Sequence, residues 1–523
     1  MANPDPRAAQ AVVVRNTLSN ADAPPANQPH PTNNDETTYA DKRGTYSKGL
    51  KQTAPGVVDI NVFNAFRAQT LKTPPSPGVP DFEAAGIITG GKENGPQGAY
   101  AYQPLGFDSS YFGIPTVPPP PALNSAAYGV ELIELYWASL LRDVAFTDYG
   151  KNQIAKDAAK ELSNLPEYAG PRDANGKVTP QLLFRGGLKL GAVNYFTGEA
   201  IGPYISQFLI TPTKLGAQPL DQKLNIFAKG KDYMTKLPDW VAVQGGAAPP
   251  KPPYVGKQFL HNGRGLATYT HDDELFQAYF VAHLVLAANG VPGNLGSPYQ
   301  TYKKQKPFGT FGGPDIAATL GAVAKAAINA VWYQKWVVHL RHRPESGGGI
   351  AHLIKTVPGH PFTGSLNANV LNSAALAASY AKYKSYLLSQ AFPEGSPTHP
   401  AYPTGHGTVG GACITALKFF YDCTRQFASP CVPSSDGKTL KSYNGKDKNL
   451  MTINGELNKL AHNISFGHGI HAGIHWRSDT DYSILLGEAV ALQFLQDQAY
   501  ICTEKFKINI EKFNGQIATI TNP

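Results

Sequence analysis

The sequence predicts a mainly α protein: helical bundles with long loops between them and one small hairpin at the C-terminus. Three observations carry this. Many segments place apolar residues at helical spacing, Gly or Pro punctuates most of their ends, and strand-like alternation is scarce.

Residues 1–121 are rich in Pro, Gly, Asn and Asp and end in Pro118 to Pro121. They read as an extended arm with few regular elements. Lacking the periodicity of a core, the arm is expected to pack on a neighbouring copy in a homo-oligomer. From Ala122 to residue 523 the texture is that of a helical domain. SAAYGVELIELYWASLLRDVAF opens it, followed by DDELFQAYFVAHLVLAANG, PDIAATLGAVAKAAINAVWYQKWVVHL and SAALAASYAKYKSYLLSQAF. GTVGGACITALKFFYD, TINGELNKLAHNIS and DYSILLGEAVALQFLQDQ complete the series. The tail FKINIEKFNGQIATI, with its Asn-Gly, is the hairpin. No repeat of solenoid length occurs.

Composition narrows the class. Of 523 residues 42% are hydrophobic and 16% charged, which fits a folded globular protein. No apolar run approaches the length of a membrane span, so none is expected. The apolar run Ala11 to Val14 is too short for a secretory signal, so the expectation is either a chain that stays inside the cell, cytoplasmic as written, or one whose leader lies outside this sequence. The net charge of +8 comes without a Lys/Arg block, which argues against a nucleic-acid partner. A diffuse positive field does favour small anions. Cys413, Cys423, Cys431 and Cys502 show no paired spacing and read as buried free thiols.

The chemistry collects in the C-terminal half, which holds most of the histidines. In YQKWVVHLRHRPE, Lys335 and Arg343 are eight residues apart, slightly over two helical turns, so both cations can face one side. Pro344 is expected to stop that helix. In HPAYPTGHGTVGGACITALKFF a helix is expected to begin near Thr404, Gly405 and His406. Its free N–H groups, the Thr404 hydroxyl and the His406 imidazole suit an anion, and Gly405 admits close approach. In NISFGHGIHAGIHWRSD, Asp479 follows His475 by four residues, a helical spacing that lets it orient the ring. A zinc site is disfavoured there, because neither HExxH nor a Cys pair is present. Each cluster alone has an ordinary reading: a solvated basic face, a helix cap, a set of core histidines. Together they supply what a tetrahedral oxyanion needs: cations, helix amides, a hydroxyl and a nucleophilic imidazole. Such a site serves phosphoryl transfer through a phosphohistidine, or it holds vanadate.

The order Lys-x7-Arg-Pro, Pro-x-Gly-His, Gly-x-His-x3-Asp resembles the vanadium haloperoxidase and type 2 phosphatidic acid phosphatase superfamily, most closely its bromoperoxidases. LLFRGG, GPYISQF, EGSPTHP, GELNKLAHNI and LLGEAVA are similar to the same group, and the likeness runs from about residue 122 to the end. The resemblance implies a fold of helical bundles and vanadate as cofactor, with His475 as the axial vanadium ligand. It implies that Lys335, Arg343, Thr404 and the Gly405 N–H bind vanadate oxygens, and that His406 is the acid–base histidine. His399 matches a histidine of the bromoperoxidase pattern that favours bromide and iodide. The family's second arginine is missing: Gly467 is followed by His468, and the stretch to His475 is one residue longer. His468 is therefore a candidate for the arginine's place, with His471 or a water as the alternative. The implied activity is oxidation of halide by hydrogen peroxide, halogenating a small organic acceptor. A phosphomonoesterase using His475 as nucleophile, or a non-catalytic relative, are the competing expectations.

Overall fold

The computed structural model describes residues 9–14, 16, 30–72, 80–86, 88, 90–106, 108–109, 117–190, 193–194, 196–247 and 249–522. The longer helices among these are α1 (Ile60–Thr70), α2 (Ala126–Leu141), α3 (Gln153–Ser163), α4 (Leu237–Gln244), α5 (Gly263–Tyr269) and α6 (Gln277–Ala288). They continue with α7 (Gly313–Tyr333), α8 (Pro344–Thr356), α9 (Ala374–Tyr383), α10 (Gly405–Phe420), α11 (Ile453–Phe466) and α12 (Arg477–Ile501). The mainly helical expectation holds. Each apolar-periodic segment became a helix, and Lys507–Glu511 pairs antiparallel with Ile517–Thr521 as the expected hairpin. Sequence periodicity missed α1, which lies in the arm, and α3, α4, α5 and α8, together with five further two-stranded pairs, whose members are all short. Local caps define many starts: Ser125, Asn152, Asn262, Ser373 and Thr452 each accept a hydrogen bond from a first-turn amide.

Helix α10 is buried along its whole length and packs between α7, α11 and α12. Its approach to α12 depends on facing glycines. A Cβ at Gly411 would lie 2.0 Å from the Ile484 carbonyl oxygen, and one at Gly487 would lie 1.9 Å from that of Thr408. With hydrogen there, the two backbones touch. That contact sets the start of α10 beside the start of α12, and the site is built at this junction. Helix α7 runs on into a π turn at Gln334–His339, and the combined Gly313–His339 is long and apolar enough to cross a membrane. More than half of its apolar window is buried inside the protein, the mark of a core helix.

The described parts of the arm dock on their own chain. Tyr46 N–H donates to the Leu340 carbonyl at 2.8 Å, and Trp336 packs among Tyr46, Phe63, Phe66 and Leu340. Lys48 Nζ reaches Glu345 Oε1 at 2.9 Å, a buried ion pair at the start of α8.

Candidate active site

Two π turns flank the site, one carrying Lys335 and the other, Gly467–His471, carrying His468. A π turn is how a helix absorbs one extra residue, and the second falls in the stretch before His475 that is one residue longer than the pattern it resembles. The chain then turns through Gly473, whose φ of 86° suits glycine, and presents His475 just before α12 begins.

His475 and Asp479 do meet, but not as neighbours on one helix turn. Asp479 sits in the first turn of α12, where its side chain accepts from Trp476 N–H at 3.1 Å, and the same Oδ2 lies 3.0 Å from His475 Nδ1. The carboxylate makes Nδ1 the protonated nitrogen and leaves Nε2 with its lone pair. Arg341 Nη1 donates to Asp479 Oδ1 at 2.6 Å, and Arg341 Nη2 to Glu131 at 2.9 Å, fixing the carboxylate from behind.

Arg343 reaches the site by a different route from the one its spacing suggested. The helix of Lys335 ends at Leu340, which has φ of 43°, and Arg343 is the cap before α8. Pro344 therefore opens a helix instead of stopping one, the first-turn position where its missing N–H costs nothing. From there Arg343 donates to His475 Nε2 at 2.7 Å, to the His399 carbonyl at 2.9 Å and to His399 Nδ1 at 3.0 Å. Lys335 is fully buried and donates to the carbonyls of Pro400 and Ala401 at 2.9 and 2.7 Å. His399 also packs against Trp332, with ring centroids 4.8 Å apart.

At the head of α10, Thr404 N–H donates to the Asp479 carbonyl at 3.0 Å, placing the cap beside the His475–Asp479 pair. No side chain caps this helix. Among the described residues the buried Thr404 hydroxyl has no hydrogen-bond partner, and the first-turn amides from Gly405 onward have no acceptor within the helix. His406 Nε2 lies 3.0 Å from Asp273 Oδ1, and its ring stacks on His468 at 3.7 Å. The His468 ring centroid is 5.6 Å from that of His475, so His468 stands at the site. His471 does not: it bonds the Tyr204 hydroxyl at 2.9 Å among Phe146 and Phe184.

The electrostatics are those of a cation nest short of anions. Burial, then Arg343, holds the Lys335 ammonium well below the usual lysine range, and burial brings Arg343 down to about 10. Burial, then the neighbouring cations, pushes His475 and His399 well below the ordinary imidazole value. An oxyanion relieves all of these penalties together. It also answers the partnerless Thr404 hydroxyl and the uncapped helix, so the residues present fit a vanadate-sized group. Among the described residues no three His, Cys, Asp or Glu side chains converge as a metal cage. Sequence reasoning missed Asp273, Arg341 and Glu131, none of which belongs to a spaced motif.

Residues 315–502 match the family model of the VCPO second helical-bundle domain. The chain is 33% identical over 505 residues to a vanadium-dependent bromoperoxidase of Ascophyllum nodosum, covering 93% of this chain and 87% of that protein. It is 33% identical over 463 residues to one from Corallina pilulifera, covering 76% and 75%. The solved homohexameric structure of the second vanadate-dependent bromoperoxidase of Ascophyllum nodosum superimposes with a TM-score of 0.87 at 25% identity, covering 99% of this chain and 92% of that one. A chain with this fold and this degree of identity over nearly its whole length belongs to the vanadium-dependent bromoperoxidase family.

Proposed function

We propose that the chain is a vanadate-dependent haloperoxidase that oxidises bromide or iodide with hydrogen peroxide, the hypohalous product halogenating a small organic acceptor. The observation that carries this reading is the buried Thr404 hydroxyl, partnerless at an uncapped helix start beside His475. Lys335, Arg343, Thr404 and the Gly405 N–H would hold the oxygens of vanadate, and His475 Nε2 would bond the metal. Bound vanadate supplies a Lewis acid that needs no change of oxidation state.

The chain's own residues do the rest. Asp479 fixes the His475 tautomer so that a lone pair, and not an N–H, meets the ligand. His406, tethered through Nε2 to Asp273, keeps Nδ1 as a proton acceptor. Arg343 and the His399 ring form one unit, and His399 favours bromide and iodide over chloride. The homohexameric relative supports a homo-oligomer here as well.

The test is bromination of an organic acceptor with peroxide and bromide, with and without added vanadate. Activity that depends on vanadate is expected. Hydrolysis of a phosphate ester, inhibited by vanadate and unaccompanied by bromination, would overturn the reading in favour of a phosphomonoesterase. Tight oxyanion binding with neither activity would mark a non-catalytic relative.

A further inference from the structure

His406 and His468 lie nearly flat on one another, with ring centroids 3.7 Å apart and planes inclined by 25°. Each ring is fastened by one nitrogen to the same short segment. His406 Nε2 is 3.0 Å from the Asp273 carboxylate, and His468 Nδ1 is 3.2 Å from the Thr270 carbonyl. Both partners are oxygen acceptors, so these two nitrogens carry the hydrogens. His406 Nδ1 and His468 Nε2 are then left with lone pairs. Neither has a hydrogen-bond partner among the described residues, and both residues are 8% exposed.

We propose that His468 is a second substrate-binding acceptor that, with His406, docks hydrogen peroxide. This rests on the haloperoxidase reading above. Hydrogen peroxide carries two O–H donors, which the lone pairs of two stacked rings can accept. A halide offers no donor and is repelled by both. An oxyanion is poorly served by His468 too, because a neutral imidazole whose N–H is spent on a carbonyl has no donor left to give. The π turn at Gly467–His471 is the backbone device that sets this ring against His406.

The experiment compares wild type, His468→Phe and His468→Gln. Phenylalanine keeps the flat ring on His406 and deletes the acceptor, whereas glutamine keeps an acceptor oxygen. Steady-state bromination is measured against peroxide and against bromide. Separately, vanadate is titrated calorimetrically into the vanadium-free chain, and folding is checked by circular dichroism. His468→Phe is expected to raise KM for peroxide by about fivefold to tenfold, the worth of one hydrogen bond. KM for bromide, kcat at saturating peroxide and vanadate affinity should stay within about twofold of wild type. His468→Gln should recover part of the peroxide KM and carries the test alone if the phenylalanine variant does not fold. A fall in vanadate affinity with peroxide KM unchanged would place His468 on the oxyanion and overturn the proposal. So would an unchanged peroxide KM in both variants, which leaves His468 a packing residue. Wild type that binds vanadate yet brominates nothing would overturn the haloperoxidase reading first, and this proposal with it.

Discussion

His475 Nδ1 lies 3.0 Å from Asp479 Oδ2, across the first residues of α12 and not along a helix face. The same carboxylate caps α12 and is held by Arg341, so ring orientation and helix start are one structural unit. Removing the imidazole leaves that unit standing. His475→Ala should therefore abolish vanadium retention and halogenation while preserving the helical circular dichroism spectrum. Stoichiometric vanadium retained by the purified variant would refute the ligand assignment. Asp479→Ala is the opposite case. It leaves Arg341 buried with one carboxylate fewer, and should cost about 3 kcal/mol of stability in denaturant unfolding.

Thr404 separates binding from folding. Its hydroxyl makes no hydrogen bond among the described residues, so Thr404→Val, close to it in shape, should change stability by under about 1 kcal/mol. Its vanadate affinity should nevertheless fall about tenfold, because a hydrogen bond to a charged group contributes about 1.5–3 kcal/mol. A large loss of stability with unaltered vanadate affinity would show that the hydroxyl serves the fold instead.

His399 bonds Arg343 and packs on Trp332, so its ring is part of the wall beside the cations. Bromide and iodide should turn over with little chloride oxidation. Chloride turnover equal to that of bromide at the same concentration would count against this wall as the halide selector.

Glu93 gives the arm a measurable pH dependence. Burial raises its carboxyl from the ordinary 4.5 to about 8, against the opposing effects of Tyr46, Lys48 and Arg343. The folded state then holds this proton between about pH 4.5 and 8 while the unfolded chain has lost it, so the group's contribution to stability falls as pH rises through that window. The slope approaches about 1.4 kcal/mol per pH unit for one full proton. Glu93→Gln removes the dependence. Its stability relative to wild type should be higher at pH 8 than at pH 5, read from urea unfolding at both. The Tyr46 hydroxyl, 2.8 Å from Glu93 Oε2 now, can still donate to the amide oxygen. An identical difference at the two pH values would contradict a proton held by Glu93.

Assembly can be tested without the active site. Light scattering at micromolar concentration should give the mass of a homo-oligomer, and a monomer of 56.1 kDa would contradict that expectation.

The sequence by itself determined the helices that matter. A 3.6-residue apolar period is a local property, and the segments that became α2, α6, α7, α10, α11 and α12 all carry it. It also named, by residue type, most of the side chains that surround His475, because an oxyanion site has to be made of cations, hydroxyls and helix amides. What it could not supply was the route by which they meet. Arg343 arrives through a left-handed Leu340 and the start of a new helix, not along the helix of Lys335. His406 takes its carboxylate from Asp273, 133 residues away, and Arg343 meets His475 across 132 residues. His468 and His471 are indistinguishable as letters, yet one reaches the site and the other bonds Tyr204. Those outcomes were decided by tertiary packing. The glycine-mediated contact of α10 with α12 fixes where the helix starts lie, and the π turn fixes which histidine faces inward. Periodicity along the chain reports which residues are buried, but a contact between distant segments exists only once both are held in place by the core between them.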